Sequence, residues 1–191
     1  MTINYYFPTS IYSEKLDLIV DSMLLTTNLV LSNSNLLTNY WGYKTTFKVD
    51  TGLECFLEFN EFNTLIQEKG KQFLIDLGYD TTDLEFTSQI FASNMSVGDS
   101  HGVHSHPNSL LSGIFYLDVN ENSAPIIFHD PRPFRKFVAM PRGKETLASY
   151  EKIVMLPENG LLLIWESWLE HEVPKNNSDK RITLVFNLGE K

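Results

Sequence analysis

Two hydrophobic rhythms divide the chain near residue 80. Before it, apolar positions recur at helical spacing: Leu16, Ile19, Val20, Met23 and Leu24 predict a first helix, with Ser13 available as its N-cap. A second helix is predicted from about Asn60, with Phe62, Leu65, Ile66, Phe73 and Leu77 on one face and Gly78 as a C-terminal cap. Between them, "YWGYKTTFKV" and "GLECFLEF" read as short strands or loops.

After residue 80 the chain becomes a series of short apolar runs punctuated by Pro, Gly, Asn and Asp. The candidate strands are "LEFTSQIFASNMSV", "LSGIFYLDV", "APIIFHD", "KFVAMP", "KIVMLP", "GLLLIWE", "EHEVP" and "RITLVFNL". This many short strands predict a mainly β fold, a sandwich or barrel, with the earlier helices packed on one outer face. We expect a single domain, residues 1–80 supporting a β core over 81–191. In the last strand Arg181, Thr183, Val185 and Asn187 share one face, and Ile182, Leu184 and Phe186 the other. In "LSGIFYLDV", Ser112, Ile114, Tyr116 and Asp118 oppose Gly113, Phe115 and Leu117. Such a polar face either lines a small-molecule cavity or meets solvent.

Composition narrows the function. A chain of 191 residues with 42% hydrophobic and 20% charged residues has the balance of a globular protein. Its formal charge of −9 and scattered basic residues disfavour nucleic acid or an anionic membrane as partner. The single cysteine, Cys55, excludes an intramolecular disulfide, and no histidine lies near it in sequence to activate it. The N-terminus lacks the features of a signal peptide, and Asp17 and Asp21 interrupt the most apolar later segment, so a cytoplasmic location is expected.

The chemistry concentrates in "SVGDSHGVHSHPNSLLSGIFYL", which holds three of the five histidines, His101, His104 and His106. Residues two apart on an extended chain point the same way, so His104 and His106 can converge on one metal ion; the alternative is a loop of hydrogen-bonding histidines. Far along the chain, His171 precedes the polar loop "PKNNSDK" and Arg181 opens the last strand. If these two lie on antiparallel neighbours, a third ligand stands close to a guanidinium, the side chain suited to gripping a carboxylate through two parallel hydrogen bonds. A metal with a fixed arginine nearby suits a chelating dicarboxylate. His101 is a ligand, or else a group at the rim of the site or one holding another imidazole's second nitrogen. In "FHDPRP", His129 belongs to a strand end, and Asp130 and Arg132 form a salt-bridged turn or contact an anionic substrate. Trp41, Trp165 and Trp168 read as core or rim aromatics. Phosphate loops, nucleophile elbows, Cys-x-x-Cys and His-Glu-x-x-His are absent from the sequence.

The segments "HSHPNSLLSGIFYL", "HDPRP" and "EHEVPKNNSDKRITLVFN", with the start "FPTSIYSEKL", resemble a small branch of the 2-oxoglutarate/Fe(II)-dependent oxygenases frequent in marine bacteria and their phages. The resemblance implies a double-stranded β-helix (jelly-roll) core. It also implies Fe(II), 2-oxoglutarate and O2 as cofactors, and hydroxylation of a small molecule or peptide side chain with release of succinate and CO2. By position, His171 matches the distal iron ligand and Arg181 the partner of the co-substrate's C5 carboxylate, with Thr183, Tyr116 and Ser112 as further contacts. The superfamily's first motif is His-x-Asp or His-x-Glu, whereas here His106 follows His104 and Asn108 follows His106. The ligand set expected is therefore His104, His106 and His171. Three neutral imidazoles leave a ferrous site at a formal +2, an arrangement similar to that of cysteine-dioxygenase-type cupins, which use no 2-oxoglutarate. Such an enzyme and a non-catalytic jelly-roll binding module are the alternatives. The sequence carries no sign of oligomeric state.

Overall fold

The structure is a computed structural model that describes residues 6–16, 20–33, 38, 42–47, 52–132, 143, 146 and 149–191. Ile19, Trp41 and the candidate strand "KFVAMP" (136–141) lie outside these residues. The described helices are α1 (Val20–Ser32) and α2 (Asn60–Asp76). The described strands are β1 (Ile11–Lys15), β2 (Lys44–Thr45), β3 (Phe86–Asn94), β4 (His101–His104), β5 (Leu111–Val119), β6 (Ile126–His129), β7 (Lys152–Met155), β8 (Leu161–Glu166), β9 (His171–Val173) and β10 (Arg181–Glu190). They form a six-stranded sheet, β1-β8-β5-β10-β3-β2, and a four-stranded sheet, β4-β9-β6-β7, paired antiparallel throughout. The fold is the expected jelly roll.

Alternation along the central strands produces three layers. Leu184, Phe186 and Leu188 of β10, Phe115 of β5 and Ile164 of β8 face outward and bury Phe62, Ile66 and Phe73 of α2 with Met23 and Val30 of α1. The opposite faces, including Ile114, Tyr116, Leu163 and Trp165, point between the sheets and meet Ile126 and Phe128 of β6. The six-stranded sheet is thus covered on both sides, so its strands read as nearly continuous apolar runs. The polar positions Arg181, Thr183 and Asn187 break that run because they line a cavity between the sheets.

Two glycines let the layers approach. A Cβ on Gly70 would lie 2.7 Å from Leu188 Cδ1, so α2 crosses the sheet where it has no side chain. On Gly113, in β5, a Cβ would fall inside the Phe186 ring. Gly113→Ala should therefore destabilise the protein by roughly 3 kcal/mol, the upper part of the range for an over-packed core. A lowered urea midpoint with an unchanged slope would show it.

Helix α2 ends as expected: Gly78 has φ +91°, and the Gly78 and Tyr79 amides donate to Ile75 and Leu74 in a Schellman arrangement. The first helix starts later than its periodicity predicts. Ser13 is no N-cap, because residues 11–15 pair with β8 as an edge strand, and Leu16 donates to Gly160 instead of opening a helix. Pairing with a distant strand overrides local periodicity here. "GLECFLEF" forms two short 3-10 turns, Leu53–Cys55 and Leu57–Phe59. The expected pairing of His171 with Arg181 on neighbouring strands is also corrected. β9 belongs to the small sheet and β10 to the large one, and the two residues line one cavity from opposite sheets.

Candidate metal centre

His101 to His104 form a strand of their own rather than a loop, and β4 pairs with β9 so that His104 stands opposite His171. His106 lies just beyond β4, its backbone N–H donating to Ser167 O at 2.9 Å. One potential ligand nitrogen from each of His104, His106 and His171 lies within 4.8 Å of the others. His171 is the most deeply set, 3% exposed, with its ring edge-on to Trp165 at 4.8 Å between centroids.

Each of these rings gives its Nδ1 to an oxygen. His104 donates to Gly102 O at 2.8 Å, His171 to Leu169 O at 2.9 Å and His106 to Asn187 Oδ1 at 2.5 Å. A carbonyl can only accept, so Nδ1 carries the proton and Nε2 keeps its lone pair for a metal. Burial reinforces this state. It pushes His171 down to about 3 and His106 to about 4 and lowers His104, with neighbouring imidazoles acting in the same direction on His171 and His106. The rings are neutral donors at neutral pH, as coordination requires.

Deeper between the sheets, Arg181 is 1% exposed. Its Nε donates to Ala124 O at 3.0 Å and Nη1 reaches Met95 Sδ at 3.2 Å, while Nη2 has no partner. Two more buried polar atoms lack partners nearby: Thr183 Oγ1, on the same face of β10, and the hydroxyl of Tyr116, whose ring centroid is 5.9 Å from the guanidinium carbon. No carboxylate among the described residues pairs with Arg181, and burial lowers its pKa. Burial also pushes Tyr116 up to about 12, which keeps it a donor. A buried cation beside two unsatisfied hydroxyls is costly unless an anion arrives to meet them.

Ser112 does not join this group. It pairs with Asn187, whereas Tyr116 pairs with Thr183 farther along β10, so Ser112 sits at the histidine end. There its Oγ shares a hydrogen bond with Ser167 Oγ at 2.7 Å and donates to Asn187 Oδ1 at 3.0 Å. It steadies the amide that holds His106. His101 does not hold another ring's second nitrogen either. It stacks on His104 with centroids 3.8 Å apart and meets the Tyr43 hydroxyl at 3.0 Å through Nδ1. Arg132 makes a two-pronged pair with Asp130, the salt-bridged turn, and His129 pairs with Glu172. Trp165 is buried and lines the cavity, Trp168 is exposed at 51%, and Cys55 is exposed.

Sequence reasoning assigned no role to Asn187, although the alternation of "RITLVFNL" put it on the cavity face. Nor did it single out Asn176, which is fully buried in the polar loop. Asn176 donates to Met95 O and accepts from Ala124 N, tying together the two segments that hold Arg181. Asn187→Ala should weaken metal binding roughly 10–100-fold, the usual effect of losing a ligand's outer hydrogen-bond partner, in a competition titration with a metal-sensitive dye.

The donor set suits a divalent transition metal, and the orphaned Arg181, Thr183 and Tyr116 atoms suit a carboxylate, so the residues present fit an iron and keto-acid pair. A double-stranded β-helix with imidazoles converging at its mouth and a guanidinium buried behind them has the architecture of a metal-dependent oxygenase. The model of the family described as "Putative 2OG-Fe(II) oxygenase" matches residues 89–187, over half of the chain, and the chain belongs to that family. It is an Fe(II)/2-oxoglutarate-dependent dioxygenase, with Fe(II), 2-oxoglutarate and O2 as cofactors.

Solved structures share the fold. A prolyl-4-hydroxylase from Pseudomonas putida superposes with a TM-score of 0.66 at 11% identity, covering 96% of this chain and 94% of that one. A prolyl hydroxylase from Trichoplax adhaerens, in complex with a hypoxia inducible factor oxygen degradation domain peptide fragment, gives 0.61 at 12% identity over 94% and 83%. The viral collagen prolyl hydroxylase of Paramecium bursaria Chlorella virus-1 gives 0.59 at 12% over 98% and 96%. At such identities the likeness is one of fold. No curated protein matches the sequence. No helix among the described residues is long and apolar enough to cross a membrane.

Proposed function

We propose that the protein hydroxylates a C–H bond of a peptide side chain or small molecule. 2-Oxoglutarate and O2 are consumed and succinate and CO2 released, one oxygen atom entering succinate and the other the product. His104, His106 and His171 hold Fe(II) through Nε2, and Arg181 grips the distal carboxylate of 2-oxoglutarate with Thr183 and Tyr116 donating beside it. The metal, when bound, supplies the coupling of O2 reduction to oxidation of the keto acid. The chain's own contribution is geometric and electrostatic. Gly102 O, Leu169 O and Asn187 Oδ1 fix the three rings in one tautomer and orientation. Arg181 sets the depth at which a dicarboxylate stops, and Trp165, Phe91, Ile114 and Val185 give apolar walls to a cavity of about 440 Å³.

The observation that carries this reading is the buried Arg181 with an unpartnered Nη2, since a guanidinium left uncompensated in a core marks the place of an absent anion. Three neutral imidazoles also match an iron enzyme that works without a keto acid, and one assay separates the two. With Fe(II) present, succinate should form from 2-oxoglutarate in step with O2 uptake, and uptake should stop when 2-oxoglutarate is withheld. Substrate oxidation that continues without 2-oxoglutarate would contradict the proposal.

A further inference from the structure

A second concavity, about 530 Å³, lies beside the metal cavity, and Ser109 lines both. Its walls carry two aromatic rings left open to solvent, Trp168 at 51% and Tyr79 at 53% exposure. Around them stand four carboxylates, Asp80, Asp83, Glu166 and Glu190. None forms an ion pair among the described residues, and no basic side chain among those residues lines the groove. Glu166 accepts from the Tyr79 hydroxyl at 2.9 Å and Asp80 from the Thr82 hydroxyl at 2.6 Å, which orients two of the acids. The groove stands on the backbone that carries the ligands: Ser167, next to Trp168, accepts from the His106 amide and donates to Leu110 O.

Exposed aromatic faces beside unpaired carboxylates are complementary to a cation on an apolar stem, which gains both Coulomb attraction and a cation–π contact. A lone amine would fill only part of this volume. Ser109 borders both the groove and the metal cavity, which suits an extended chain that passes from one to the other. We propose that the groove binds a Lys- or Arg-bearing segment of a polypeptide substrate, next to the residue presented to the metal. Binding needs only the groove, whereas its placement beside the reacting residue rests on the oxygenase function.

The test uses the whole protein without iron or 2-oxoglutarate. A capped Ala-Lys-Ala-Lys-Ala peptide is titrated into isotope-labelled protein, and the Trp168 indole resonance should shift and saturate. Trp168→Ala, which leaves the net charge unchanged, should weaken the affinity about tenfold, as loss of a cation–π contact does. The Asp83→Asn/Glu190→Gln double variant should weaken it comparably. Glu58→Gln/Glu61→Gln removes the same charge near the far end of α2 and should leave binding within about twofold, because those acids are screened from the groove. Equal binding by Trp168→Ala, or equal losses from both charge variants, would overturn the proposal, since attraction to a chain of net charge −9 would then suffice. Equal binding of Ala-Glu-Ala-Glu-Ala would overturn it as well. Peptide binding without any 2-oxoglutarate turnover would remove the oxygenase reading and leave the groove; turnover without peptide binding would do the reverse.

Discussion

Arg181→Met should raise the 2-oxoglutarate concentration for half-maximal turnover by about 100-fold or more, while the ligand-free protein melts close to the wild type or above it. The two halves of this expectation have opposite causes. In the complex the guanidinium is desolvated and paired, and deleting one partner of a buried charge pair costs about 3–5 kcal/mol because the other is left alone. In the free protein that guanidinium, 1% exposed with Nη2 unpartnered, has no anionic partner among the described residues. A methionine of similar length therefore relieves a desolvation penalty, which offsets the lost hydrogen bond to Ala124 O and contact with Met95 Sδ. Initial-rate kinetics and thermal melts on the same preparation check both. A variant that unfolds while the remaining folded fraction keeps its affinity for 2-oxoglutarate would mean that Arg181 is a structural residue.

His171→Ala should abolish turnover and weaken metal binding by more than the roughly 10–100-fold expected for loss of an outer partner such as Asn187. Of the three rings His171 is the most buried, and it alone comes from outside the His104–His106 segment, so its loss leaves two donors on one side. The wild type should melt higher with added Mn(II), by mass action on the folded state, and the variant should show no such rise. Chelator titrations followed by metal analysis measure the affinity directly. Undiminished metal binding by His171→Ala would place the metal elsewhere.

Much of this arrangement is readable from the sequence because of how strands display side chains. In "RITLVFNL" every second residue is strongly apolar, which isolates Arg181, Thr183 and Asn187 on a face of their own, and in the fold that face lines the cavity. His104 and His106 stand out in the same way, since an extended chain aims them at one point. What stays hidden depends on pairing between distant segments. Nothing local in "IYSEK" reveals that the edge of β8 needs a partner, so residues 11–15 read as the approach to a helix. Periodicity cannot say which sheet a strand joins, and His171 and Arg181 therefore look like strand neighbours when they line the cavity from different sheets. Ser112 shows a third limit. Its face is readable, but its place along the cavity depends on register, and the β5–β10 register sets it behind His106 instead of beside Arg181.

The central claim, that three imidazoles and one buried guanidinium form a single site for iron and a keto acid, is tested most directly by a crystal structure of the protein soaked without oxygen in Fe(II) and 2-oxoglutarate. The account predicts one metal ion bound by Nε2 of His104, His106 and His171, with the far carboxylate of the keto acid on Arg181 Nη2. A metal bound away from His171, or a keto acid that leaves Arg181 untouched, would contradict it.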